Sequence, residues 1–225
     1  MAIIYEGNTK QLLSSDNSEN VVIKFKDSFA LDSSKSCKGK AMLVSLINKF
    51  LFFKLSGVVP HHFFNQLDDT SFEAKKLDVL PVRICMRNFS AGSICTRLGY
   101  NRGEWMPFAM LEYYYKDSSV SSEPITEEEI VNKGLLNFSQ LDVLIDFSRR
   151  ANDILLPEFA SRGLTLADIM FEFGKDENGN FYLIDELGPD NARIWENSTS
   201  ESLDFEATDI CSAYEKLAKT LGVIQ

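Results

Sequence analysis

The segment Phe171 to Trp195, FEFGKDENGNFYLIDELGPDNARIW, constrains this chain more than any other. Phe171, Phe173, Phe181, Tyr182, Leu183 and Ile184 are strand formers on either side of Asn178-Gly179, and Asn-Gly between apolar runs is the strongest short hairpin signal. With those two residues as the loop, Glu172 stands directly opposite Asp185. Side chains so paired lie about 4.5–5.5 Å apart at Cβ, where like charges repel. An oxygen-seeking divalent ion such as Mg2+, held by one or two carboxylates and by substrate phosphates, relieves that repulsion. On this register Met170, Leu183 and Leu187 share the acidic face, while Ile169, Phe171, Phe173, Tyr182 and Ile184 point into a core. The competing reading is a surface hairpin with solvated acids, and a four-residue loop would set Glu172 opposite Leu183 and part the acids. The turn-rich Gly188-Pro189-Asp190-Asn191-Ala192-Arg193 that follows favours a phosphate-and-metal site, because it adds an acid and an arginine suited to bidentate grip.

A net charge of -10 and a pI near 4.8 argue against a general nucleic-acid or acidic-membrane binder. The chain's 225 residues, 44% hydrophobic and 25% charged, suit one globular unit with a sizeable core. Cys37, Cys85, Cys95 and Cys211 are scattered without a CxxC pair, so the reading is small core residues in a reducing cytoplasm, with no disulfide framework or zinc site. The adjacent His61 and His62 read as loop or lobe-edge residues. The N-terminus lacks a basic, then apolar leader pattern, and no apolar run reaches the length of a membrane span.

From Ala2 to about Lys26, apolar runs alternate with turns and predict antiparallel strands, with Gly7 and Lys10 placed as in a flap over nucleotide phosphates. Asp27 to Lys40 reads as a polar loop with three lysines, and Ala41 to Leu55 has helical apolar spacing. Val82 to Asn88 reads as a strand entering Phe89-Ser90-Ala91-Gly92-Ser93 and a short helix. Small residues there allow close approach of an anion, which Arg87 and the Ser93 hydroxyl would help to cradle. Met110 to Lys116 is a strand ending in a lysine, and Thr126-Glu-Glu-Glu is a capped helix start. Ser139 to Gly163 is helical with Pro157 as a kink or interruption, and Phe205 to Leu221 is a final amphipathic helix.

Taken together, YEGNTK, AKKLDVLPVRICMRNFSAGSICTRLG, EYYYK, DIMFEFG and DELGPDNARIW, in this order, resemble the SAICAR synthetase family over nearly the whole chain. The resemblance implies a two-lobed α+β fold akin to ATP-grasp enzymes and kinases, with residues 1–82 as a nucleotide-covering lobe and 83–225 binding ATP and ribotide. It implies a homodimer, no nucleic-acid partner, and ATP-dependent joining of a ribotide carboxylate to the amine of aspartate. Gly7, Lys10, Met86 and Lys116 would contact ATP, Glu172 and Asp185 would hold Mg2+, and Arg87, Ser93, Asp190 and Arg193 would form the ribotide phosphate pocket. By the same resemblance Lys10, Lys116, Glu172 and Asp185 would be the catalytic residues.

The chain departs from the family pattern at several positions. Asn8 stands for a lysine, Arg83 for a glutamate, Met170 for an active-site lysine, and Ser122-Glu123-Pro124 for His-Asp-Pro. Phe29-Ala30-Leu31-Asp32-Ser33 lacks its glycine, and Leu203-Asp204-Phe205-Glu206-Ala207 replaces Lys-Asp-x-Phe-Arg. The losses fall on cations that would meet carboxylates, with Lys35, Lys38 and Lys40 as candidate substitutes. Three readings stay open: the family reaction, a sibling ligase using another ribotide or amine, and a nucleotide-binding protein without ligase activity.

Overall fold

The computed structural model describes residues 1–29, 32, 34–117, 119 and 121–225, so most of the altered stretch from Phe29 to Ser33 lies outside the described residues. Alternating apolar residues build a first antiparallel sheet from β1 (Ile3–Glu6), β2 (Lys10–Ser14), β3 (Asn20–Phe25), β4 (Phe63–Asp68) and β5 (Ser71–Lys75), ordered β1-β2-β3-β5-β4. A second sheet is ordered β10-β8-β6-β7, with β9 also paired to β8. Its strands are β6 (Asp78–Phe89), β7 (Trp105–Tyr115), β8 (Leu164–Lys175), β9 (Phe181–Ile184) and β10 (Ala192–Glu196).

Helix α1 (Lys40–Leu55) packs against β3, β4 and the two long C-terminal helices. The short α2 (Ser93–Leu98) and α3 (Glu127–Asn132) follow β6 and β7. Capping boxes start α3 at Thr126 and α4 (Phe138–Ala160) at Asn137, each satisfying two otherwise unpaired donors. Pro157 does not interrupt α4, which runs on to Ala160. Leu144, Ala151 and Leu155 of α4 and Ile84, Ile169, Phe171 and Phe173 of the second sheet are buried in one core, where α4 lies across β6 and β8.

The final helix α5 (Ile210–Leu221) starts five residues later than its periodicity suggests. The Asp204 carboxylate accepts the backbone N–H of Ile194 at 2.6 Å and of Glu206 at 2.8 Å, holding that segment as a turn against β10, and Asp209 caps the helix instead.

The cysteine expectation is overturned in part: Cys37 and Cys211 form a disulfide, and only Cys85 and Cys95 are free. The bond fastens the loop before α1 to the first turn of α5 across a separation of 174 residues. Cross-linking so long a loop restricts the unfolded chain, so Cys211→Ser is expected to lower unfolding free energy by about 2–4 kcal/mol. Urea titration with and without a dithiol reductant measures it, and a reductant-insensitive wild type would refute the bond.

The hairpin register is also corrected. β8 and β9 pair Glu172 with Ile184 and Phe173 with Leu183, one residue away from the expected alignment. The cause is Asp176, whose Oδ1 accepts the N–H of Asn178 at 3.0 Å and of Asn180 at 2.9 Å. Asp176 thereby closes a three-residue loop of Glu177, Asn178 and Gly179, with Gly179 left-handed at φ 81°. Leu183 therefore joins Phe173 in the core, and Ile184 faces the cleft beside Glu172.

Candidate active site

Strand register puts the charged side chains on one face of the second sheet. Arg83, Cys85 and Arg87 of β6 stand opposite Glu172, Met170 and Asp168 of β8, and Arg83 and Cys85 also stand opposite Tyr114 and Glu112 of β7. Directly paired residues share a face, so Glu172, Met170 and Asp168 form a row, and Lys116 continues the β7 row beyond Tyr114. Four residues of strand separate Glu172 from Asp168, about 13–14 Å. The row has two charged poles with Met170 between them.

The same alternation sends Met86 to the opposite face, paired with Leu111 and Ile169 and 2% exposed in the core, so it does not line the cleft. Val79, nearer the start of the same strand, does line it.

The first pole is a cleft of about 680 Å³ between the two sheets. Leu12, Ile23, Val79 and Ile184 make its apolar wall, and Lys10, Lys116, Glu172 and Asp185 its charged end. The β1–β2 turn carries Gly7 over it, closed by Gly7 N–H donating to the Lys10 carbonyl at 2.9 Å. Lys116 Nζ contacts Glu172 Oε2, and Lys10 Nζ contacts Asp185 Oδ1 and lies 2.9 Å from Glu186 Oε1. Asp185 has left β9 and sits at φ 69°, which returns its carboxylate to the cleft despite the shifted register.

Burial, then the Asp185 charge, pushes the Glu172 carboxyl above its usual range. Burial would raise Asp185 too, but the Lys10 and Lys116 ammoniums outweigh it and hold that carboxyl down at about 2. Burial takes Glu186 up to about 7 against the pull of Lys10. His62, expected at a lobe edge, is 4% exposed between Phe52 and Phe72. Burial drives its pKa down to about 3, so the ring is neutral, and Nε2–H donates to the Asp185 carbonyl at 3.1 Å.

The second pole is built of arginines and acids. Arg87, 3% exposed, donates from Nε to Glu112 at 2.5 Å and from Nη1 to Asp168 at 2.6 Å. Arg193 reaches Asp168 at 3.0 Å and Glu206 at 2.8 Å. Burial pushes the Asp168 carboxyl upward and the arginines pull it down; the ionised form is the one that satisfies both guanidiniums. Ser93 opens α2 as an exposed residue, preceded by Gly92 at φ 62°. A Cβ on Gly92 would lie 2.5 Å from Arg193 Nη2, so only glycine lets the guanidinium lie there.

Asp204 beneath this pole is raised by burial to about 6 from 3.8. A carboxyl raised on folding binds its proton more tightly in the native state. Its contribution is therefore full below the unfolded value and is lost as pH rises through about 6. Asp204→Asn is expected to flatten that part of the pH–stability curve in urea titrations at fixed ionic strength; an unchanged slope would refute the assignment.

Asp190 joins the regions. Its Oδ2 takes the Lys40 ammonium at 2.5 Å and its Oδ1 the Tyr214 hydroxyl at 2.6 Å, with Lys40 only 1% exposed. Lys40 is thus a buried ion-pair partner, unlike the solvated loop lysine its sequence context suggests. Asp190 lines both the cleft and a second cavity of about 380 Å³, whose walls include Phe29, Asp32, Lys35, Phe205 and Cys211. Glu186, Glu112 and Asp168 were also missed by sequence reasoning. Glu186 follows Asp185, and consecutive residues on an extended strand face opposite ways.

Fold and site define an α+β protein with a lysine- and carboxylate-lined cleft between two antiparallel sheets. The chain belongs to the SAICAR synthetase family, whose model matches residues 3–218. It is 36% identical over 231 residues to the phosphoribosylaminoimidazole-succinocarboxamide synthase of Wolinella succinogenes and 34% identical over 231 residues to that of Nautilia profundicola, covering 98% of each chain in both pairings. Among solved structures, the synthase of Ehrlichia chaffeensis superposes with a TM-score of 0.93 at 29% identity over 100% of both chains. A SAICAR synthetase in complex with ADP superposes at 0.91 and 29% identity over 98% of both.

Proposed function

We infer that this chain is an ATP-dependent carbon–nitrogen ligase that activates the carboxylate of carboxyaminoimidazole ribotide and couples it to aspartate, giving the succinocarboxamide. The observation that carries this reading is the β8 row: a lysine–carboxylate pole at Glu172, an arginine pole at Asp168, and Met170 between them. ATP lies in the cleft with its base on the apolar wall and its phosphates toward Lys10 and Lys116. The ribotide phosphate sits at Arg87, Ser93 and Arg193, with Asp190 shaping the pocket, and the reacting carboxylate falls near Met170.

The donor set suits magnesium. It is all oxygen, and Glu172 and Asp185 feel each other's charge. Among the described residues no group of three His, Cys, Asp or Glu could hold an ion, so an ion at Glu172 and Asp185 would need phosphate and water to complete its shell. When bound, magnesium neutralises charge on the transferring phosphoryl group. Lys10 and Lys116 do the same from fixed positions. A ribotide carboxylate oxygen bonds to the γ-phosphorus as the bond to the β-phosphate oxygen breaks and ADP leaves. The amine then bonds to the acyl carbon, the C–O bond breaks, phosphate departs, and the ammonium proton is lost to solvent.

We include residues 1–82 as a nucleotide-covering lobe, 83–225 as the ATP- and ribotide-binding lobe, and a homodimer in the proposal. Its support for the homodimer is β7, an edge strand on which Phe108 is 92% exposed. No helix among the described residues is long and apolar enough to cross a membrane. The cytoplasm is the proposed compartment, and the Cys37–Cys211 bond is an exception to the usual rarity of disulfides there.

The test is ADP release with carboxyaminoimidazole ribotide and a panel of amines, with product mass measured. Aspartate-dependent succinocarboxamide is the expected result. Turnover only with another amine or ribotide would replace the substrate assignment, and ATP binding without turnover would end the ligase reading. Met170→Lys is expected to lower the KM for aspartate by about tenfold or more, the value of one charged hydrogen bond, with the KM for ATP unchanged. An unmoved aspartate KM would show that Met170 does not face the amine.

A further inference from the structure

Asp185 and Glu186 are consecutive, yet both meet the Nζ of Lys10. An extended strand would send them to opposite faces. The left-handed backbone of Asp185, φ 69°, makes the shared contact, and a non-glycine residue stays there only where its surroundings over-determine it. Those surroundings are visible. Asn191 Nδ2 donates to Asp185 Oδ2 at 2.9 Å and to the Glu186 carbonyl at 3.1 Å, and His62 Nε2 reaches the Asp185 carbonyl. The fold therefore spends two side chains on keeping a second acid at Lys10. That acid is 3% exposed, and its Oε2 is buried without any hydrogen-bond partner.

The requirement this meets follows from the proposed function, on which the inference rests. Asp185 is asked to hold a divalent cation, and Lys10 to hold phosphate, but the two are bonded to each other. A dication at Asp185 repels an ammonium on the same carboxylate. Lys10 must then keep its place by another contact, and Glu186 is the other carboxylate touching its Nζ.

We propose that Glu186 is a positioning residue: it retains the Lys10 ammonium beside the phosphates when Asp185 turns to the metal, and its unpartnered Oε2 receives the hydrogen bond that the rearranged ammonium or a metal-bound water then offers. Glu186 lines the cleft and acts through the Lys10 ammonium that it touches. Neutralising it leaves Asp185 as the remaining acid for Lys10, so the lysine competes harder with the metal.

Calorimetric titration of ADP into the full chain across a series of Mg2+ concentrations tests this. Glu186→Gln is expected to raise the half-saturating Mg2+ about tenfold, the lower range for loss of an outer-shell partner, while ADP affinity in chelator changes less than about twofold. Glu186→Asp restores most of the shift. In the Lys10→Met background the Glu186→Gln shift disappears, because the group it acts through is gone. Should Glu186→Gln not fold, Lys10→Met alone decides, with half-saturating Mg2+ expected to fall and a rise overturning the idea. An unchanged Mg2+ requirement in Glu186→Gln, or equal loss of metal-free and metal-dependent binding, overturns the positioning role alone. A wild type whose ADP binding ignores Mg2+ overturns the metal reading and this inference together.

Discussion

Asp185→Asn is expected to lower kcat/KM for ADP release by about 10²- to 10³-fold while the protein keeps its fold, since one preorganised electrostatic group at a reacting centre is typically worth about 2.7–4 kcal/mol. The fold survives because Lys10 retains Glu186 at 2.9 Å, His62 holds the Asp185 carbonyl, and Asn191 holds the Glu186 carbonyl. Asparagine is close in shape but cannot carry the charge that the Lys10 and Lys116 ammoniums hold ionised down to about 2. Glu172→Gln, at the other proposed metal ligand, is expected to lose a similar factor. The double variant should fall little below either single one, because two ligands to one ion act as a unit. Steady-state ADP release with thermal melts in parallel measures this. Activity within tenfold of wild type, or fully additive losses, would show that the two acids serve different purposes.

The acids at this pole were legible in the sequence, but the route by which they meet was not. Asn-Gly pointed to a two-residue loop, and Asp176 overrode it, because an aspartate side chain accepting two backbone N–H groups defines its own turn. The slipped register would have parted Glu172 from Asp185 had Asp185 stayed extended, and φ at a single residue is not written in a hydrophobic pattern. Lys40 was hidden for a related reason. Its neighbours are polar, so it reads as solvated, and its burial depends on Asp190 and Tyr214 from far along the chain. Met86 and Val79 are both apolar on β6, and only strand parity and position separate core from cleft. The strands, the capped helices and the order of the motifs needed only local patterns, and those were readable. What escaped depends on contacts made across the fold.

At the arginine pole the largest expected effect is on stability. Asp168 is 3% exposed and is bonded at once to Arg87, at 2.6 Å, and to Arg193, at 3.0 Å. Asp168→Ala leaves two guanidiniums facing each other across the space of the lost carboxylate, with Glu112 and Glu206 paired only at their outer sides. Breaking a buried pair from one side costs about 3–5 kcal/mol. In a chain of this size that is a fall in melting temperature on the order of 10 °C. The same geometry supplies a control that generic core damage lacks. A phosphate anion carries the charge and the acceptors that the missing carboxylate provided, and anything binding only the native state raises the melting temperature with concentration. Inorganic phosphate at millimolar concentration is therefore expected to recover several degrees in Asp168→Ala and little in wild type. Asp204→Ala, which removes a buried acid bonded to backbone N–H groups instead of guanidiniums, should be destabilised without that recovery. If phosphate stabilises all three proteins alike, the arginine pair is not a phosphate seat, and Asp168 is only a structural clamp between β6, β8 and β10.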